Sequence, residues 1–385
     1  MNSMVSATDQ AHLLRALELA EGGRGRVSPN PLVGAVIVRD EQVIGEGFHA
    51  ELGGLHAERA ALEDCRSRGE DPAGATMYVT LEPCAHQGRQ PPCVEAILEA
   101  GIARVVIASD DPSEKAAGRG PGILRDGGIE VAFASGAEAT AARRLNQPFR
   151  KHSRTGLPLV ILKMAMSLDG QTTTAPGDSP WISGPESREL VHRWRSECDG
   201  IAVGIGTALA DDPLLTARLE GARQPKRVVF DSQARLPLDS QLLRTLDQAP
   251  VLVIVAADAP NDRTAALRDA GAEAIVATDI ESALRELGRR EVTSLFLEGG
   301  RTLASAFASA DMIDESRTFI APVLLGVDKD GSSRGWRGGQ TPARSQFVEH
   351  GGLPSVTGPA RRAALRSTNG QVGEDTLVRA VFREW

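Results

Sequence analysis

The amino-acid sequence predicts two α/β domains, one after the other. Both halves alternate patterns typical of strands with patterns typical of helices, which indicates sheets covered by helices. The chain has 385 residues, which is more than one ordinary hydrophobic core serves. A polar stretch containing a glycine and a proline separates the halves and is expected to be a linker. The predicted domains are therefore 1–150 and 159–385, joined by the linker 151–158.

The elements of the first half follow from hydrophobic periodicity and from the glycines that end helices. Gly69 and Gly101 stand where two of the helices are expected to end. A polar turn at 40–42 joins the first two strands. In chain order the predicted elements are a helix at 10–21, strands at Val33–Arg39 and Val43–Phe48, a helix at His56–Arg68, a strand at Thr76–Leu81, a helix at Val94–Ala100, a strand at Arg104–Ala108 and a helix at 138–150.

The second half continues the alternation. Its predicted strands are Leu159–Met164, Gly200–Val203, Arg227–Phe230, Val251–Val255 and Ser294–Leu297. Its predicted helices are Glu186–Ser196, Arg263–Ala270, Ile280–Leu287 and Leu303–Ser309. Residues 327–345 are rich in Gly, Ser and Arg and are expected to form an irregular loop, with a last strand at Glu374–Phe382.

Composition and charge argue against nucleic-acid and membrane partners. The formal net charge is −8, whereas a broad nucleic-acid surface needs clustered Lys and Arg. No apolar run approaches the roughly 20 residues that cross a bilayer. Residues 1–10 lack the basic and apolar pattern of a secretory signal. Four cysteines are too few for a disulfide framework, so we expect a cytoplasmic protein whose cysteines bind metal or pack.

One histidine and two cysteines stand at predicted strand–helix junctions. His56 opens a helix, Cys84 follows a strand and Cys93 begins the next helix. Three such ligands leave the fourth position of a zinc ion to water, which is the arrangement of catalytic sites. Zinc lowers the pKa of that water toward about 7, and Glu58 is placed two residues after His56 to shuttle protons. The pattern predicts one zinc ion per chain in a hydrolytic deaminase.

Simpler interpretations of the same residues stay open at this point. The general deaminase pattern spaces its cysteines three apart, whereas Cys84 and Cys93 are nine apart. A structural zinc module would need four protein ligands, and only three are apparent. Free cysteines are often core residues, which is the expectation for Cys65 and Cys198. Glu58 is alternatively a solvated glutamate of the kind that the first turn of a helix favours.

The second half carries weaker local motifs. It has no G-x-G-x-x-G after its first strand, so a Rossmann dinucleotide site is not indicated. Gly204 and Gly206 form a lone glycine pair, for which a tight turn is the simple interpretation. Residues 298–302 follow an apolar strand and open a helix, where free N–H groups suit a cofactor phosphate. The alternative there is an ordinary strand-to-helix turn.

Nine motifs follow one another along the chain. They are SPNPLVG at 28–34, HAE at 56–58, TLEPCAHQGR at 80–89, PPC at 91–93, KMAMSLDG at 163–170, WISG at 181–184, GIGT at 204–207, ADDP at 210–213 and EGG at 298–300. In this order they resemble the bifunctional deaminase–reductase family of riboflavin biosynthesis. The resemblance covers about residues 10–325, and the long cysteine spacing is that family's own version of the deaminase motif.

The resemblance implies a fold, two reactions and two cofactors. A cytidine-deaminase-like three-layer αβα domain would precede a dihydrofolate-reductase-like α/β domain. The first would deaminate 2,5-diamino-6-(5-phosphoribosylamino)pyrimidin-4-one with one zinc ion. The second would use NADPH to reduce the ribose of 5-amino-6-(5-phosphoribosylamino)uracil to a ribityl chain. The implied partner is thus a small phosphorylated pyrimidine, and the resemblance also suggests a homo-oligomer.

Site residues carry over from the family by matching position. Glu58 is implied as the catalytic residue, with His56, Cys84 and Cys93 as the zinc ligands. The implied deaminase substrate contacts are Asn30, His49, His86 and Asp110. The implied NADPH contacts are Met166, Trp181, Thr207, Asp211, Ser232, Gly300, Arg301 and Thr302. The implied reductase substrate contacts are Lys163, Ser179, Arg195, Leu215, Arg218 and Glu298.

Chemistry supports some of these implied roles, and two departures from the family pattern stand out. Arginine forks match phosphate oxygens, which suits Arg195 and Arg218. Ser113 and Glu114 replace the Asn and Pro of the usual Asp-Pro-Asn-Pro, so one substrate hydrogen bond is expected to differ. Gln90 stands where Thr is usual, which is a milder change.

Two other functions stay open on the sequence alone. One is a nucleobase or nucleoside deaminase whose C-terminal half is a non-catalytic scaffold. The other is a structural zinc module joined to a binding domain. Oxidation of NADPH by the product of the first step would separate the bifunctional enzyme from the scaffold.

Overall fold

The computed structural model describes residues 5–88, 90–113, 116–174, 179, 181–326 and 363–385. The chain divides into two compact units. The first comprises residues 1–159, 284–293 and Trp385, and the second comprises 160–283 and 294–384. Within the described ranges no helix is long and apolar enough to cross a membrane. The predicted loop at 327–345 and Glu114 lie outside the described residues.

A five-stranded sheet forms the centre of the first unit. Its strands are β1 (Gly34–Arg39), β2 (Gln42–Phe48), β3 (Thr76–Val79), β4 (Arg104–Ile107) and β5 (Glu130–Phe133). Its helices are α1 (Ala7–Ala20), α2 (Ala57–Ser67), α3 (Cys93–Glu99), α4 (Arg119–Asp126), α5 (Ala137–Leu145) and α6 (Gln147–Thr155). The strand order is β2-β1-β3-β4-β5. Strand β1 is antiparallel to its neighbours, whereas β3, β4 and β5 are parallel.

Helices cover both faces of this sheet. Successive side chains of a strand point to opposite faces, and β1 shows the consequence. Ile37 packs in a core with residues of α2, α3 and α4, whereas Val36 packs in a second core with residues of α1 and α5. The predicted three-layer αβα fold is therefore confirmed.

Local sequence explains where the first elements begin and turn. Helix α1 starts at a capping box, in which the Ser6 side chain accepts from the Asp9 N–H and the Asp9 carboxylate accepts from the Ser6 N–H. The turn between β1 and β2 places Asp40 and Glu41 at φ values of 51° and 64°. Two consecutive left-handed residues make the tight turn that matches the twist of a hairpin. This turn holds β2 beside β1.

The predicted linker is largely helical, which corrects the expectation for 151–158. The predicted helix at 138–150 breaks at Asn146, whose backbone leaves the helical range and whose amide exchanges two 2.8 Å hydrogen bonds with the main chain of Leu32. Helix α6 then continues to Thr155 and ends at Gly156, which has a φ of 71°. Lys151 is buried in the first unit, so the polar sequence of this segment was misleading.

A nine-stranded sheet forms the centre of the second unit. Its strands are β6 (Leu159–Ser167), β7 (Gly200–Gly204), β8 (Lys226–Phe230), β9 (Val251–Val255), β10 (Glu273–Val276), β11 (Ser294–Leu297), β12 (Glu315–Ala321), β13 (Arg366–Val372) and β14 (Asp375–Val381). The helices of this part of the chain are α7 (Pro185–Glu197), α8 (Ile205–Asp211), α9 (Gln241–Arg244), α10 (Asn261–Asp269), α11 (Ile280–Arg289) and α12 (Arg301–Ser309). The α/β class predicted for the second half is confirmed.

The order of this sheet contains a point where the chain changes direction. The order is β10-β9-β8-β7-β11-β6-β12-β14-β13. After β7 the chain continues through β8, β9 and β10, which form one side of the sheet. After β11 it continues to β12, which lies on the opposite side of the sheet, beyond β6. Strands β7, β8 and β11 are parallel, so the segments that follow β7 and β11 leave the same edge in opposite directions. Ligands of open α/β sheets bind in the crevice that such a switch point creates.

Several elements were not predicted from the sequence, for identifiable reasons. Helix α4 contains Gly120, Pro121 and Gly122, which usually interrupt helices. Pro121 is tolerated because it lies in the first turn, where no intrahelical N–H is required. Strand β13 is exposed along almost its whole length, so it shows no alternation of apolar residues. The others missed are β5, β10, β12, α8 and α9.

Candidate active sites

His56, Cys84 and Cys93 converge in the first unit. His56 Nδ1 lies 3.4 Å from the Sγ of Cys84 and 3.4 Å from the Sγ of Cys93. The three potential ligand atoms all lie within 4.8 Å of one another. Tetrahedral zinc bonds of about 2.3 Å to sulfur and about 2.1 Å to nitrogen would place sulfur and nitrogen about 3.5 Å apart. The donor set and its spacing therefore fit a zinc ion.

Two helix starts and the segment after a strand hold these three side chains. His56 is the extended N-cap of α2, and Cys93 is the first residue of α3. The Cys93 N–H donates to Cys84 Sγ at 3.3 Å. Arg59 of α2 donates to the Pro92 carbonyl at 3.0 Å. These bonds fix the starts of α2 and α3 beside Cys84, which follows β3.

The acidity of the thiols also fits a cation. Hydrogen bonds from Cys93, and then from His56, lower the pKa of Cys84 to about 4. The neighbouring Cys84 sulfur, and then burial, raise the pKa of Cys93, because a second thiolate would lie against the first. A divalent cation between the sulfurs favours both thiolates. The chemistry of the donor set thus agrees with its geometry.

Glu58 is buried next to these ligands. Its exposed fraction is 4%, so the alternative of a solvated first-turn glutamate is wrong. Burial, and then the charge of Cys84, raise the pKa of Glu58 to about 7. A carboxyl group that titrates near neutral pH both takes up and releases protons readily. The buried position and the raised pKa suit a proton shuttle.

Asn30 and His49 lie together near the zinc ligands. His49 Nδ1 contacts the Leu55 carbonyl at 2.9 Å, and since a carbonyl only accepts, Nδ1 must carry the proton. The other nitrogen, Nε2, then accepts from Asn30 Nδ2 at 3.1 Å. The His49 ring lies 5.4 Å from the His56 ring. The structure therefore brings two of the predicted substrate contacts to the metal ligands.

His86 and Asp110, the other two predicted substrate contacts, lie in different surroundings. His86 interacts through charge with Asp111, which is buried and accepts from the Ser113 N–H at 2.8 Å. Asp110 is half exposed and bound by Arg150 Nη2 at 3.2 Å. The burial of Asp111, next to the half-exposed Asp110, was not predicted. The assignment of Asp110 to the substrate stays a prediction.

Arg150 is a second residue that the sequence did not single out. Its side chain is almost wholly buried, and its Nη1 donates to the Asp110 carbonyl at 2.9 Å and to Ser109 Oγ at 3.2 Å. Its Nε donates to the carbonyl of Trp385 at 2.7 Å. The guanidinium therefore joins the segment after β4 to α6 and to residue 385, within the first unit. No local pattern distinguishes such an arginine from a solvated one on a helix.

In the second unit, the predicted cofactor residues stand at one edge of the sheet. Thr207 lies in α8 just after β7, Ser232 follows β8, and residues 300–302 follow β11. These three strands are parallel, so their carboxyl ends meet at the same edge. This edge contains the switch point described above. The structure therefore brings these predicted residues to the crevice where the fold class binds ligands.

Two uncapped helix starts lie next to each other at this edge. Gly204 is the N-cap of α8 and Gly300 is the N-cap of α12, and neither start has a side-chain cap. A Cβ atom on Gly300 would lie 3.7 Å from Thr207 Oγ1. N–H groups at helix starts bind phosphate oxygens. The arrangement fits the phosphates of NADPH, and Gly204 begins a helix instead of forming a simple tight turn.

Glu298 is the centre of a charged cluster in the same unit. Both of its oxygens are bound by Arg195, Nε at 2.7 Å and Nη2 at 3.0 Å. Burial would raise the pKa of Glu298, but Arg195 and Lys163 lower it below its ordinary value. Burial lowers the pKa of Lys163. The Arg195 fork, predicted for a phosphate, is thus directed at a carboxylate of the protein.

A strained segment places a carbonyl group beside Arg195. Leu215 is buried and has a φ of 52°, a conformation that costs a bulky residue roughly 1–3 kcal/mol. The next carbonyl, that of Thr216, accepts from Arg195 Nη1 at 3.0 Å and from His192 Nδ1 at 3.3 Å. His192 was not predicted as a site residue. A single histidine on a helix shows no motif.

The remaining predicted residues occupy more exposed positions. Trp181 is 58% exposed, with its ring 5.1 Å from the Arg188 guanidinium. Ser179, Asp211 and Arg218 are exposed as well. Among the described residues no hydrogen bond joins these four predicted residues to Glu298. Met166 lies near the end of β6.

Comparisons with known proteins match both halves of the chain to families. Residues 6–109 match the family described as the cytidine and deoxycytidylate deaminase zinc-binding region, and residues 158–350 match the RibD C-terminal domain. The riboflavin biosynthesis protein RibD of Actinobacillus pleuropneumoniae is 40% identical over 331 residues, which cover 84% of this chain and 86% of that protein. The RibD protein of Escherichia coli K12 is 39% identical over 348 residues, 84% of this chain and 90% of that protein.

Solved structures give the same result over almost the full length. Acinetobacter baumannii RibD has a TM-score of 0.79 and 36% identity, and the match covers 98% of this chain and 99% of that one. A Thermotoga maritima protein, described as a diaminohydroxyphosphoribosylaminopyrimidine deaminase/5-amino-6-(5-phosphoribosylamino)uracil reductase, has a TM-score of 0.80 and 33% identity, with coverage of 98% and 99%.

Fold and site together define a zinc-dependent deaminase fused to a reductase. The first unit supplies a His–Cys–Cys centre with a buried glutamate, and the second supplies a dihydrofolate-reductase-type sheet with two uncapped helix starts at one edge. The chain belongs to the RibD family of bifunctional riboflavin-biosynthesis enzymes. The predictions of the family, of an enzyme, and of zinc and NADPH as its cofactors are thereby confirmed.

Proposed function

We propose that this chain catalyses two successive steps of riboflavin biosynthesis. In the first, 2,5-diamino-6-(5-phosphoribosylamino)pyrimidin-4-one and water give 5-amino-6-(5-phosphoribosylamino)uracil and ammonia. In the second, NADPH and a proton reduce the ribose of that product to a ribityl chain. The observation that carries the proposal is the buried Glu58 carboxyl beside His56, Cys84 and Cys93.

In the deaminase site, each chain residue has a distinct task. His56, Cys84 and Cys93 would hold a zinc ion, which would supply a water that is nucleophilic at neutral pH. Glu58 would take a proton from the attacking water, whose oxygen bonds to the ring carbon that carries the amino group, and deliver it to the ring nitrogen. The C–N bond then breaks, and the amino group leaves as ammonia with the second proton of the water. Asn30 and His49 bind and orient the pyrimidine. His86 and Asp110 are the other proposed contacts of the deaminase substrate.

In the reductase site, the chain residues position the reactants. NADPH supplies the hydride, and the protein supplies its orientation toward the sugar carbon. Glu298, oriented by Arg195, and Lys163 bind the ring-opened sugar. The proposed NADPH contacts are Met166, Trp181, Thr207, Asp211, Ser232, Gly300, Arg301 and Thr302. The other proposed substrate contacts are Ser179, Leu215 and Arg218, of which Arg218 suits the phosphate.

Each activity is assigned to one part of the chain. Deamination is assigned to residues 1–150 and reduction to residues 159–385. The substrate is a small phosphorylated pyrimidine rather than a nucleic acid, in agreement with the net charge of −8. We propose a homo-oligomer that acts in the cytoplasm without a membrane partner. None of its four cysteines forms a disulfide, in agreement with a reducing compartment.

One experiment tests the two halves of this proposal separately. Ammonia release and NADPH oxidation are followed in one cuvette from the phosphorylated diaminopyrimidine, with and without a zinc chelator. We expect both signals, and we expect the chelator to stop both because the second step needs the product of the first. Supplying that product directly should restore NADPH oxidation in the presence of chelator.

The same experiment tests the alternative in which the C-terminal half is a non-catalytic scaffold. Ammonia without NADPH oxidation would leave a deaminase whose C-terminal half is non-catalytic. If NADPH is oxidised when the product of the first step is supplied, but no ammonia is released from the first substrate, the deaminase assignment would be removed. Either result would overturn one half of the proposal and leave the other in place.

A further inference from the structure

His192 lies on the side of α7 that faces the Glu298 cluster. It precedes Arg195 by three residues, so the two side chains share a helix face. Its Nδ1 contacts the Thr216 carbonyl at 3.3 Å, and because a carbonyl only accepts, Nδ1 carries the proton. The ring is half buried. The ring nitrogen that remains for a ligand is therefore Nε2.

The charges around His192 come from four elements. Arg195 belongs to its own helix, Arg218 follows α8, and Glu298 follows β11. Lys163 of β6 interacts with Glu298 in turn. The Glu298 carboxylate accepts hydrogen bonds from both Nε and Nη2 of Arg195. The cluster thus holds one carboxylate and three permanently or usually positive side chains.

Arg218 is the exposed cation of this cluster. Its side chain has no hydrogen bond or ion pair among the described residues, and it interacts with His192 through charge. Arg195, in contrast, spends three donors on Glu298 and Thr216. Arg218 is therefore more available than Arg195 to bind an anionic group of the substrate. His192 is the neighbouring side chain with an unused nitrogen.

The charge state of His192 responds to such an anion. Burial, and then the charges of Arg195 and Arg218, lower the pKa of His192 below its ordinary value. An anion bound next to the ring would oppose the two arginines and raise that pKa. Binding would then be accompanied by proton uptake, which converts Nε2 from an acceptor into a charged donor.

We propose that His192 is a specificity-determining residue of the reductase, and that its Nε2 binds the phosphate monoester of the substrate together with Arg218. This inference rests on the proposed function of the second unit. It adds a residue that the motifs did not supply. The competing role is a purely structural one, in which His192 only supports the Thr216 carbonyl through Nδ1.

Three substitutions separate these two roles. His192→Asn retains an amide N–H near the position of Nδ1, whereas His192→Gln retains one near the position of Nε2. His192→Ala removes both. Arg193→Ala is the matched control, because Arg193 is an exposed cation on the same helix and lies outside the cluster.

The experiment measures KM and kcat of the full chain for 5-amino-6-(5-phosphoribosylamino)uracil at saturating NADPH. We expect His192→Ala and His192→Asn to raise KM about tenfold, the usual worth of a hydrogen bond to a charged group. We expect His192→Gln to retain most of the affinity, and kcat and the KM for NADPH to change little. Arg193→Ala should match the wild type.

A dephosphorylated substrate and a pH series test the phosphate itself. Without the phosphate, wild type and His192→Ala should show the same KM. With the phosphorylated substrate, the KM of the wild type should rise between about pH 6 and pH 8 more steeply than the KM of His192→Gln. The reason is that the imidazole of His192 loses a proton in this range, whereas the glutamine amide does not. Comparing the two proteins removes the contribution of the phosphate, whose second pKa is about 6.

Two results would overturn the inference while the proposed function stands. One is an unchanged KM in His192→Ala, and the other is rescue by His192→Asn but not by His192→Gln. An equal penalty on the dephosphorylated substrate would also overturn the phosphate assignment. If the wild-type chain oxidises no NADPH with this substrate, the proposed function fails and the inference fails with it.

Discussion

The two candidate sites are built in different ways. In the first unit, side chains converge within 4.8 Å on one point, and a buried carboxyl lies beside them. In the second unit, uncapped helix starts and an Arg195–Glu298 pair surround a sheet edge. One site consists of reacting side chains, whereas the other is a surface that positions a cofactor. Single substitutions should therefore abolish the first activity but only reduce the second.

The largest effect is expected at Glu58. Glu58→Gln removes the proton shuttle but keeps the size of the side chain, so deamination should fall by about 10²–10⁴-fold while bound zinc is retained. Ammonia release and zinc content measure the two quantities. Glu63→Gln, an exposed neighbour on the same helix, is the control. Deamination at the wild-type rate in Glu58→Gln would remove its assigned role.

Loss of a ligand should affect binding of the metal before anything else. Cys84→Ser replaces a soft thiolate that zinc prefers, so zinc stoichiometry should fall well below one per chain. The melting temperature of the deaminase part should fall too, because metal binding is coupled to folding. Cys65→Ser is a matched control, since Cys65 is a buried core thiol. Full zinc occupancy in Cys84→Ser would contradict its role as a ligand.

A smaller effect is expected at the Arg195–Glu298 pair. Arg195→Ala leaves Glu298 without either of its arginine hydrogen bonds, and a misplaced positioning group can cost up to about 100-fold in rate. We expect kcat/KM of the reductase step to fall by 10- to 100-fold. Because the residues act as a pair, adding Glu298→Gln should reduce the rate little further. Strictly additive losses would show that they act independently.

The difference between the sites also explains what the sequence could predict. His56, Glu58, Cys84 and Cys93 each stand at a strand–helix junction, so local patterns reveal both the residue and its position. Fold class, and most strands with apolar alternation, were predictable for the same reason. In the reductase half, the site depends on which strand ends meet. The order of the strands in a nine-stranded sheet cannot be predicted from any short stretch of the sequence.

The residues that were missed depend on tertiary contacts alone. Arg150 and Lys151 look like polar linker or surface residues, yet both are buried. His192 acquires its surroundings only when the segment at Thr216 meets α7. The sequence does not show that Asp111 is buried while its neighbour Asp110 is half exposed, because adjacent carboxylates look alike until the chain folds. Each case concerns a polar side chain whose burial the sequence does not reveal.

The smallest predicted effect concerns the support of the deaminase site from α6. Arg150→Met keeps the length of the side chain but removes the donors that bind the carbonyls of Asp110 and Trp385. We expect the free energy of unfolding to fall by about 1–3 kcal/mol, as measured by urea denaturation. The KM for deamination should rise only a few-fold, since the Asp110 carboxylate is half exposed and water can replace one partner.

The pH dependence of this effect sharpens the comparison. Burial would raise the pKa of Asp110, but the hydrogen bond from Arg150, and then its charge, lower it below the ordinary value. A lowered carboxyl pKa stabilises the fold above the unfolded value of about 3.9, and this contribution is lost as pH falls through the folded value. The difference in stability between wild type and Arg150→Met should therefore shrink below about pH 4. A difference that stays constant from pH 7 to pH 3 would show that Arg150 acts through the main-chain carbonyls and Ser109, not through the carboxylate.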